Sequence, residues 1–479
     1  MAWTAPLQAT NAFYGGLSGT PLVVGGTVFI EDMRSNVEAL SLHSGHRLWI
    51  HKYDDPSVGP NGVAYAQGVI YGATESFAFA LDARSGRQLW RSSRLPRNDH
   101  EGIDMAPGVF DGTVYVSTVP GNFHDFYKGD GAGVLWALHA PTGEQRWSFR
   151  TVPFSLWGDP ARNSGGGLWN PPAFDGDGAA YVDVGNPGPT NAGGPGNAWA
   201  RSRPGPNLYT DSLVKLDAST GRVLWHYQVI PHDLYDWDAQ LSPVYDAGTN
   251  QVFIAGKFGR VLGFDARTGR LLWQTYVGTH NGHDHDDLLA LRRDYAQLPH
   301  FPYTIKPGEA GGVETPLALA GGTLYVPVVD VPYKIVRPGT STADFASGTG
   351  EMVAIQAATG KILWDTKLPS SVYGAATVAN DLVFTTEYAG KLVALRRSDG
   401  AVVWTSSLSA DTNAQVVVAG NTLITAASAP QPGQHPEIVA YRLGAGGVAT
   451  PRGSATGNSA ASGTITDTGG LGIGPIRPH

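Results

Sequence analysis

Asp236 and Asp238 stand two residues apart in Pro231-His232-Asp233-Leu234-Tyr235-Asp236-Trp237-Asp238. In an extended chain both carboxylates face one side, where they repel unless a cation or a proton comes between them. The pair is therefore a candidate metal or proton-transfer site. A second candidate is Asn186 in Gly185-Asn186-Pro187-Gly188-Pro189, directly after the apolar run Ala180-Tyr181-Val182-Asp183-Val184. Such a corner can aim an amide oxygen at a hard cation, or can simply be turn chemistry. Trp169 in Gly165-Gly166-Gly167-Leu168-Trp169-Asn170 offers a flat indole beside glycine backbone, suited to a planar ligand or to ordinary loop packing. The run Thr279-His280-Asn281-Gly282-His283-Asp284-His285-Asp286-Asp287 looks like a metal site at first glance, but ligands this dense in one loop more often line a pocket mouth.

These residues need a scaffold, and the chain supplies one by repetition. A block of the form apolar-x-x-x-[Ser/Thr/Asp]-Gly-x-x-x-Trp occurs seven times, with Gly and Trp at 45 and 49, 86 and 90, 143 and 147, 221 and 225, 269 and 273, 360 and 364, and 400 and 404. Before each lies an alternating apolar run, a polar turn and a second run, such as Val252-Phe253-Ile254 and Val261-Leu262-Gly263-Phe264. Strand, turn, strand, glycine turn, tryptophan strand makes one four-stranded antiparallel blade. Each indole is expected to dock on a neighbouring blade, so the seven repeat tryptophans are assigned to packing. Glu437-Ile438-Val439-Ala440-Tyr441-Arg442-Leu443 resembles a blade strand without its tryptophan, which predicts an eighth blade closed by N-terminal residues Trp3 to Leu7. The expectation is an all-β, eight-bladed β-propeller over residues 1–443, followed by a flexible Gly/Ser/Thr-rich tail at 444–479. The long intervals 90–147, 147–225 and 273–364 are loop insertions, and all the candidate clusters fall in or beside them.

With the repeat and the clusters together, the chain resembles the quinoprotein alcohol dehydrogenases, propellers that hold pyrroloquinoline quinone (PQQ) and a metal ion near the axis. The similarity runs over roughly residues 20 to 443. The resemblance implies that Trp169 lies beneath the quinone with Gly166 and Gly167 beside it, that Asn186 is a metal ligand, and that Asp236 is the catalytic aspartate, here after Tyr235 rather than tryptophan. It places Lys257, in Ala255-Gly256-Lys257-Phe258-Gly259, against the quinone oxygens. Asp238, two residues after the catalytic position, is the mark of lanthanide-dependent members, so the implied ion is Ca2+ or a lanthanide. The implied reaction is oxidation of an alcohol, polyol or sugar hydroxyl by hydride transfer to the quinone, with Asp236 as base and the cation as Lewis acid. An unidentified electron acceptor and a periplasmic or extracellular setting, with a signal segment removed, follow from the same resemblance.

The departures from that family are as specific. There is no cysteine, so the vicinal disulfide over the quinone is absent. Asn61 precedes Gly62-Val63-Ala64-Tyr65 where the family has an arginine for the cofactor's acid groups, and Asn122 is the nearest match to its metal-binding glutamate. Bulk properties set outer bounds. A net charge of -8 with 33 Lys plus Arg provides no footprint for nucleic acid. No apolar stretch is long enough to span a membrane. Two rival readings share the scaffold: a non-catalytic propeller like the outer-membrane assembly propellers, and a propeller hydrolase or lyase that uses the Asp pair without quinone. Pro204 to Asp211 and His280 to Tyr303 are expected to shape the substrate pocket.

Overall fold

The computed structural model describes residues 1–7, 15–124, 126–190 and 198–444. Of the expected 444–479 tail only Gly444 falls inside that set. The fold is all-β and propeller-like. Among the described residues there are eight four-stranded antiparallel sheets, most of them consecutive in sequence. The sheet of Leu22–Val24, Thr27–Glu31, Val37–Ser41 and Arg47–His51 sets the pattern. Its second and third strands are mostly buried, while the fourth has no buried residue, passing from exposed at Arg47 and Leu48 to half-buried over residues 49–51. That gradient explains the residue types: β-branched and apolar side chains fill strands covered on both faces, and polar residues enter where the fourth strand meets water.

The repeated Gly and Trp have a shared geometry. Gly86 has φ +71°, and a Cβ there would stand 2.6 Å from the ring of Trp49, the tryptophan of the preceding sheet. The same contact recurs for Gly143 on Trp90, Gly221 on Trp147, Gly269 on Trp225, Gly360 on Trp273 and Gly400 on Trp364. Glycine is required twice over, for the left-handed turn and for the ring's approach. Each indole nitrogen then donates to a carbonyl in the next sheet, Trp49 Nε1 to Ala83 O at 3.1 Å and Trp90 Nε1 to Ala140 O at 2.8 Å. Within its own sheet each tryptophan faces a small residue in most copies, Ala39 opposite Trp49 and Ala80 opposite Trp90, with a register shift immediately after.

The first turn, at Gly45, has no earlier repeat tryptophan to receive, and Trp3 fills the place: a Cβ on Gly45 would lie 2.4 Å from its ring. The strand Trp3–Pro6 also pairs with Glu437–Arg442, so residues from both ends of the described chain complete one sheet. That pairing covers the edge of Glu437–Arg442 and makes Trp3–Pro6 the outer strand of the sheet. The insertions carry what is not sheet repeat: the short ladder Ser164–Gly165 with Pro187–Gly188, the helix Asp286–Leu291, and a three-stranded sheet of Tyr303–Ile305, Tyr333–Arg337 and Thr340–Ala343.

Candidate active site

The ladder between residues 164–165 and 187–188 fixes one side of the site. Gly166 N donates to Asn186 O at 3.0 Å and Gly185 N donates to Gly167 O at 2.8 Å. Gly165 and Gly166 hold φ of +139° and +75°, and a Cβ at Gly165 would stand 2.6 Å from Pro187 Cα. Gly166 and Gly167 are thus packed against Thr151, Val119 and Pro120, and their backbone holds the Asn186 turn in place. At Gly185 a Cβ would meet Asp238 Oδ1 at 2.5 Å and Trp169 Nε1 at 3.3 Å, so glycine there lets turn, carboxylate and indole converge.

The other side is the segment carrying the two aspartates. Asp233 accepts from Tyr235 N at 2.8 Å and Trp237 N at 3.0 Å, closing a tight turn that leaves Asp236 at φ +61°. Aspartate is among the few non-glycine residues that enter the left-handed region readily. Lys257, between the strands Gln251–Ala255 and Arg260–Asp265, completes the cluster. Its Nζ lies 2.6 Å from Asp236 Oδ2 and 2.8 Å from Asp238 Oδ2. Asn186 joins both carboxylates, its Nδ2 donating to Asp236 Oδ1 at 2.5 Å and its backbone N to Asp238 Oδ1 at 2.8 Å. Tyr127 donates its hydroxyl to Asn186 Oδ1. All these side chains are buried.

Two carboxylates share one ammonium, so the cluster keeps an excess of negative charge in a dry setting. Burial pushes Asp236 well above the usual carboxylate range, with Lys257 pulling down and Asp238 pushing up. Burial alone would lower Lys257, but the aspartates outweigh it and hold the ammonium charged. Three further acids crowd the same space. Glu314 is pushed up to about 7 by burial against the pull of Lys257, and Gln240 Nε2 donates to it at 2.9 Å. Glu309 adds repulsion to Asp236 and accepts from the Tyr333 hydroxyl. Asp211 is fully buried with neither oxygen hydrogen-bonded, and burial raises it well above its ordinary value. Such a cluster attracts a cation or retains protons.

The structure therefore brings together Asn186, Asp236, Asp238 and Lys257, with Trp169 at their edge. Trp169 is buried and its Nε1 has no hydrogen-bond partner. Asn61 and Asn122 make their bonds elsewhere: Asn61 Nδ2 donates to Asp32 O at 2.9 Å, and Asn122 Nδ2 to Asp99 O at 2.8 Å. Tyr127, Glu309 and Glu314 were not singled out from sequence, and Asp211 entered only as the end of the Pro204 to Asp211 loop. All four lie in the long intervals of the repeat, and the glycines of Gly308-Glu309-Ala310-Gly311-Gly312-Val313-Glu314 were the available signal. The histidine-rich loop resolves into pairs, His280 with Asp284 at 2.5 Å and His283 with Asp286 at 2.9 Å. Among the described residues no group of three or more His, Asp or Glu side chains is arranged to hold a metal.

Residues 1–252 match the family model for the glucose/ethanol/alcohol dehydrogenase β-propeller domain, and residues 304–469 match that for the outer membrane protein assembly factor BamB. The quinohemoprotein alcohol dehydrogenase of Comamonas testosteroni is 29% identical over 306 residues, which cover 55% of this chain and 39% of that protein. Quinohemoprotein alcohol dehydrogenase ADH-IIG of Pseudomonas putida is 30% identical over 273 residues, covering 50% of this chain and 35% of the relative. The matches thus span well under half the length of these relatives. The solved structure of ADHIIG from Pseudomonas putida HK5 superposes with a TM-score of 0.76 at 20% identity, covering 95% of this chain and 78% of that one. A europium-containing methanol dehydrogenase gives 0.72 at 19% identity, covering 92% and 93%, and BamB from Moraxella catarrhalis gives 0.55 at 13%, covering 93% and 99%. With a family model matched over more than half its length, the chain belongs to the PQQ-type glucose/ethanol/alcohol dehydrogenase β-propeller family.

Proposed function

We propose that this chain is a PQQ-dependent dehydrogenase that oxidises a hydroxyl group of an alcohol, polyol or sugar, acting outside the cytoplasmic membrane and passing electrons to an external acceptor. In this reading the eight sheets are the blades of one ring spanning residues 1–443, locked by tryptophans docked on the glycine turns of their neighbours. The observation that carries the proposal is the buried meeting of Asp236, Asp238, Asn186 and Lys257 beside Trp169.

The donor set fits a hard cation. Asp236, Asp238 and the Asn186 amide offer oxygen ligands, the excess acid supplies charge, and Lys257 now stands where positive charge is wanted. The planar cofactor is supported by the buried indole of Trp169, whose Nε1 has no hydrogen-bond partner. Asn61, where the family has an arginine, donates from Nδ2 to Asp32 O and leaves only an acceptor oxygen unpartnered, so it supplies no cation for the cofactor's acid groups. When bound, the quinone supplies a two-electron acceptor and the Ca2+ or lanthanide ion a Lewis acid. Asp236 accepts the proton of the substrate hydroxyl at a carboxylate oxygen. Lys257 keeps its charge in the dry cluster, where it stabilises developing negative charge more than it would in water. Asn186 and the Asp233 turn hold Asp236 in position, and Asn122 stays on Asp99 outside the donor set.

The test is titration of metal-stripped protein with PQQ, followed by tryptophan fluorescence, with calcium, with lanthanum and without metal. Saturable, metal-dependent quenching that disappears in Trp169→Ala is expected, and no binding under any condition overturns the reading. Asp236→Asn preserves shape and the left-handed backbone, so it should retain quinone binding while losing dye reduction by about 10²- to 10⁴-fold. A second reading, a binding scaffold, is favoured by the match of residues 304–469 to the assembly-factor model. It predicts a folded protein that neither quenches nor turns over.

A further inference from the structure

A cavity of about 380 Å³ lies behind the Asp236 turn, lined by Arg201, Arg203, Arg293, His232 and Tyr295 together with Pro204, Gly205 and two apolar residues of the Asp286–Leu291 helix and its end. Arg203 is fully buried, yet no carboxylate lies within ion-pair distance of it among the described residues. Its guanidinium donates to neutral acceptors: Nη2 to Asp233 O at 2.5 Å, Nε to Pro189 O at 3.2 Å, and Nη1 to Asn207 Oδ1. Burying a guanidinium carries a large desolvation cost, and burial pulls Arg203 down to about 10 against the opposing pull of Asp233 and Asp211, which act on it from beyond ion-pair distance. Among the described residues Arg201 and Arg293, both exposed, also make no ion pair; Arg201 is held with its guanidinium 4.1 Å over the Tyr295 ring. Three arginines thus line one cavity, and among the described residues none of them is in an ion pair.

The fourth group defines more of the ligand. His232 is 2% exposed, its Nδ1 is 3.0 Å from Gly205 O, and its Nε2 has no hydrogen-bond partner. Burial and the nearby Arg203 cation push it down to about 4, so the ring is neutral at ordinary pH. With Nδ1–H donating to the Gly205 carbonyl, Nε2 is left as an acceptor. An acceptor beside three cations calls for an anion that also carries a donor.

We propose that this cavity is a binding site for a small hydroxylated anion, in which carboxylate or phosphoryl oxygens take the guanidinium forks of Arg201, Arg203 and Arg293 and a hydroxyl donates to His232 Nε2. The site is separate from the Asp236 cluster but braced to it, since Arg203 ties Pro189, three residues after Asn186, to Asp233, three before Asp236. It does not depend on the redox reading.

Calorimetric titration of the whole chain at pH 7 and low salt tests it, with malate, succinate and glycerol 3-phosphate as probes. One saturable site is expected for malate or glycerol 3-phosphate, and the tighter of the two names the anion. Succinate, which lacks only the hydroxyl, should bind several-fold more weakly than malate. The double variant Arg201→Ala/Arg293→Ala removes exposed side chains and leaves Arg203 in place, so it should fold with an unchanged melting temperature. It should weaken binding at least about tenfold, the effect of losing one charge-assisted contact. No saturable binding of any probe, or binding unaltered in the folded double variant, overturns the proposal; equal affinity for malate and succinate overturns the role of His232.

Discussion

At the scale of single residues, Lys257 carries the charge balance of the candidate site. Its ammonium is the group within ion-pair reach of both Asp236 and Asp238, and all three are nearly devoid of solvent contact. Removing one partner of a buried ionic cluster leaves the others uncompensated, which typically costs 3–5 kcal/mol. Lys257→Met should therefore lower the guanidinium unfolding midpoint by about that free energy without changing the m-value. Adding Asp238→Asn to it should recover a large part, because the remaining carboxylate no longer faces a second one. Full stability of the single variant would show that the aspartates are already protonated and that the ammonium is dispensable. The chemistry-bearing residues that stand in recognisable strings were legible in the sequence: Asn186 in a Gly-Asn-Pro corner, the aspartates at a spacing of two. Tyr127, Glu309 and Glu314 were not, because each is an isolated polar residue whose meaning comes from convergence in space across insertions of different sheets. Asn122 shows the converse: its position in sequence suggested a ligand, and its side chain is engaged with Asp99.

At the scale of the element, the glycine turn and the indole it receives form one unit shared between two sheets. Gly269 has φ +73°, and a Cβ there would lie 2.7 Å from the ring of Trp225. Gly269→Ala combines a left-handed alanine, at about 1 kcal/mol, with overlap against a ring held by its hydrogen bond to Ala266 O at 3.2 Å. A loss of about 2–3 kcal/mol is expected in denaturant unfolding. Trp225→Ala alone should cost about 3 kcal/mol through lost packing. In the double variant the overlap has no object, so the combined loss should fall short of the sum by about 1 kcal/mol or more. Strict additivity would mean that the ring and the turn do not touch in solution. This unit is what made the architecture readable, since two residue types at a fixed offset recur with little variation. The strands that open each sheet, such as Leu22–Val24 and Ala64–Ala66, are only three residues long and half-exposed. They left no such trace, and neither did the inserted ladder at 164–165 and 187–188, whose pairing depends on glycine conformations rather than on hydrophobic alternation.

At the scale of the whole molecule, the distribution of acids sets how stability responds to pH. Turn aspartates at the surface are held below their ordinary value, Asp82, Asp217 and Asp265 by hydrogen bonds from neighbouring hydroxyls and backbone amides and Asp399 by the Ala401 amide and the Arg396 guanidinium. Their stabilisation is present above the unfolded value near 3.8 and is lost as pH falls below it. Buried acids work in the opposite direction. Burial pushes Asp104 and Asp233 up to about 6, Glu314 and Asp287 to about 7, and Glu75 to about 8. A carboxyl with a raised folded value contributes stability that is complete below its unfolded value and is lost as pH rises through the folded one. The melting temperature should accordingly peak near pH 4–5 and fall steadily to pH 8, in a chain whose net charge of -8 adds repulsion over the same range. Asp104 is one probe, wholly buried with Oδ1 bonded to Val58 N and Ser57 Oγ and Oδ2 unpartnered, and its charge also helps to raise Glu75, so the two respond together. Its shift from 3.8 to about 6 corresponds to a stability difference on the order of 2–3 kcal/mol. Asp104→Asn, which keeps the two accepted bonds and cannot ionise, should flatten the fall between pH 4 and 7 and leave the wild-type and variant curves furthest apart at pH 8. If the two curves run parallel from pH 4 to 8, Asp104 is ionised throughout that range, and its buried charge is stabilised by the bonds from Val58 N and Ser57 Oγ rather than relieved by a retained proton.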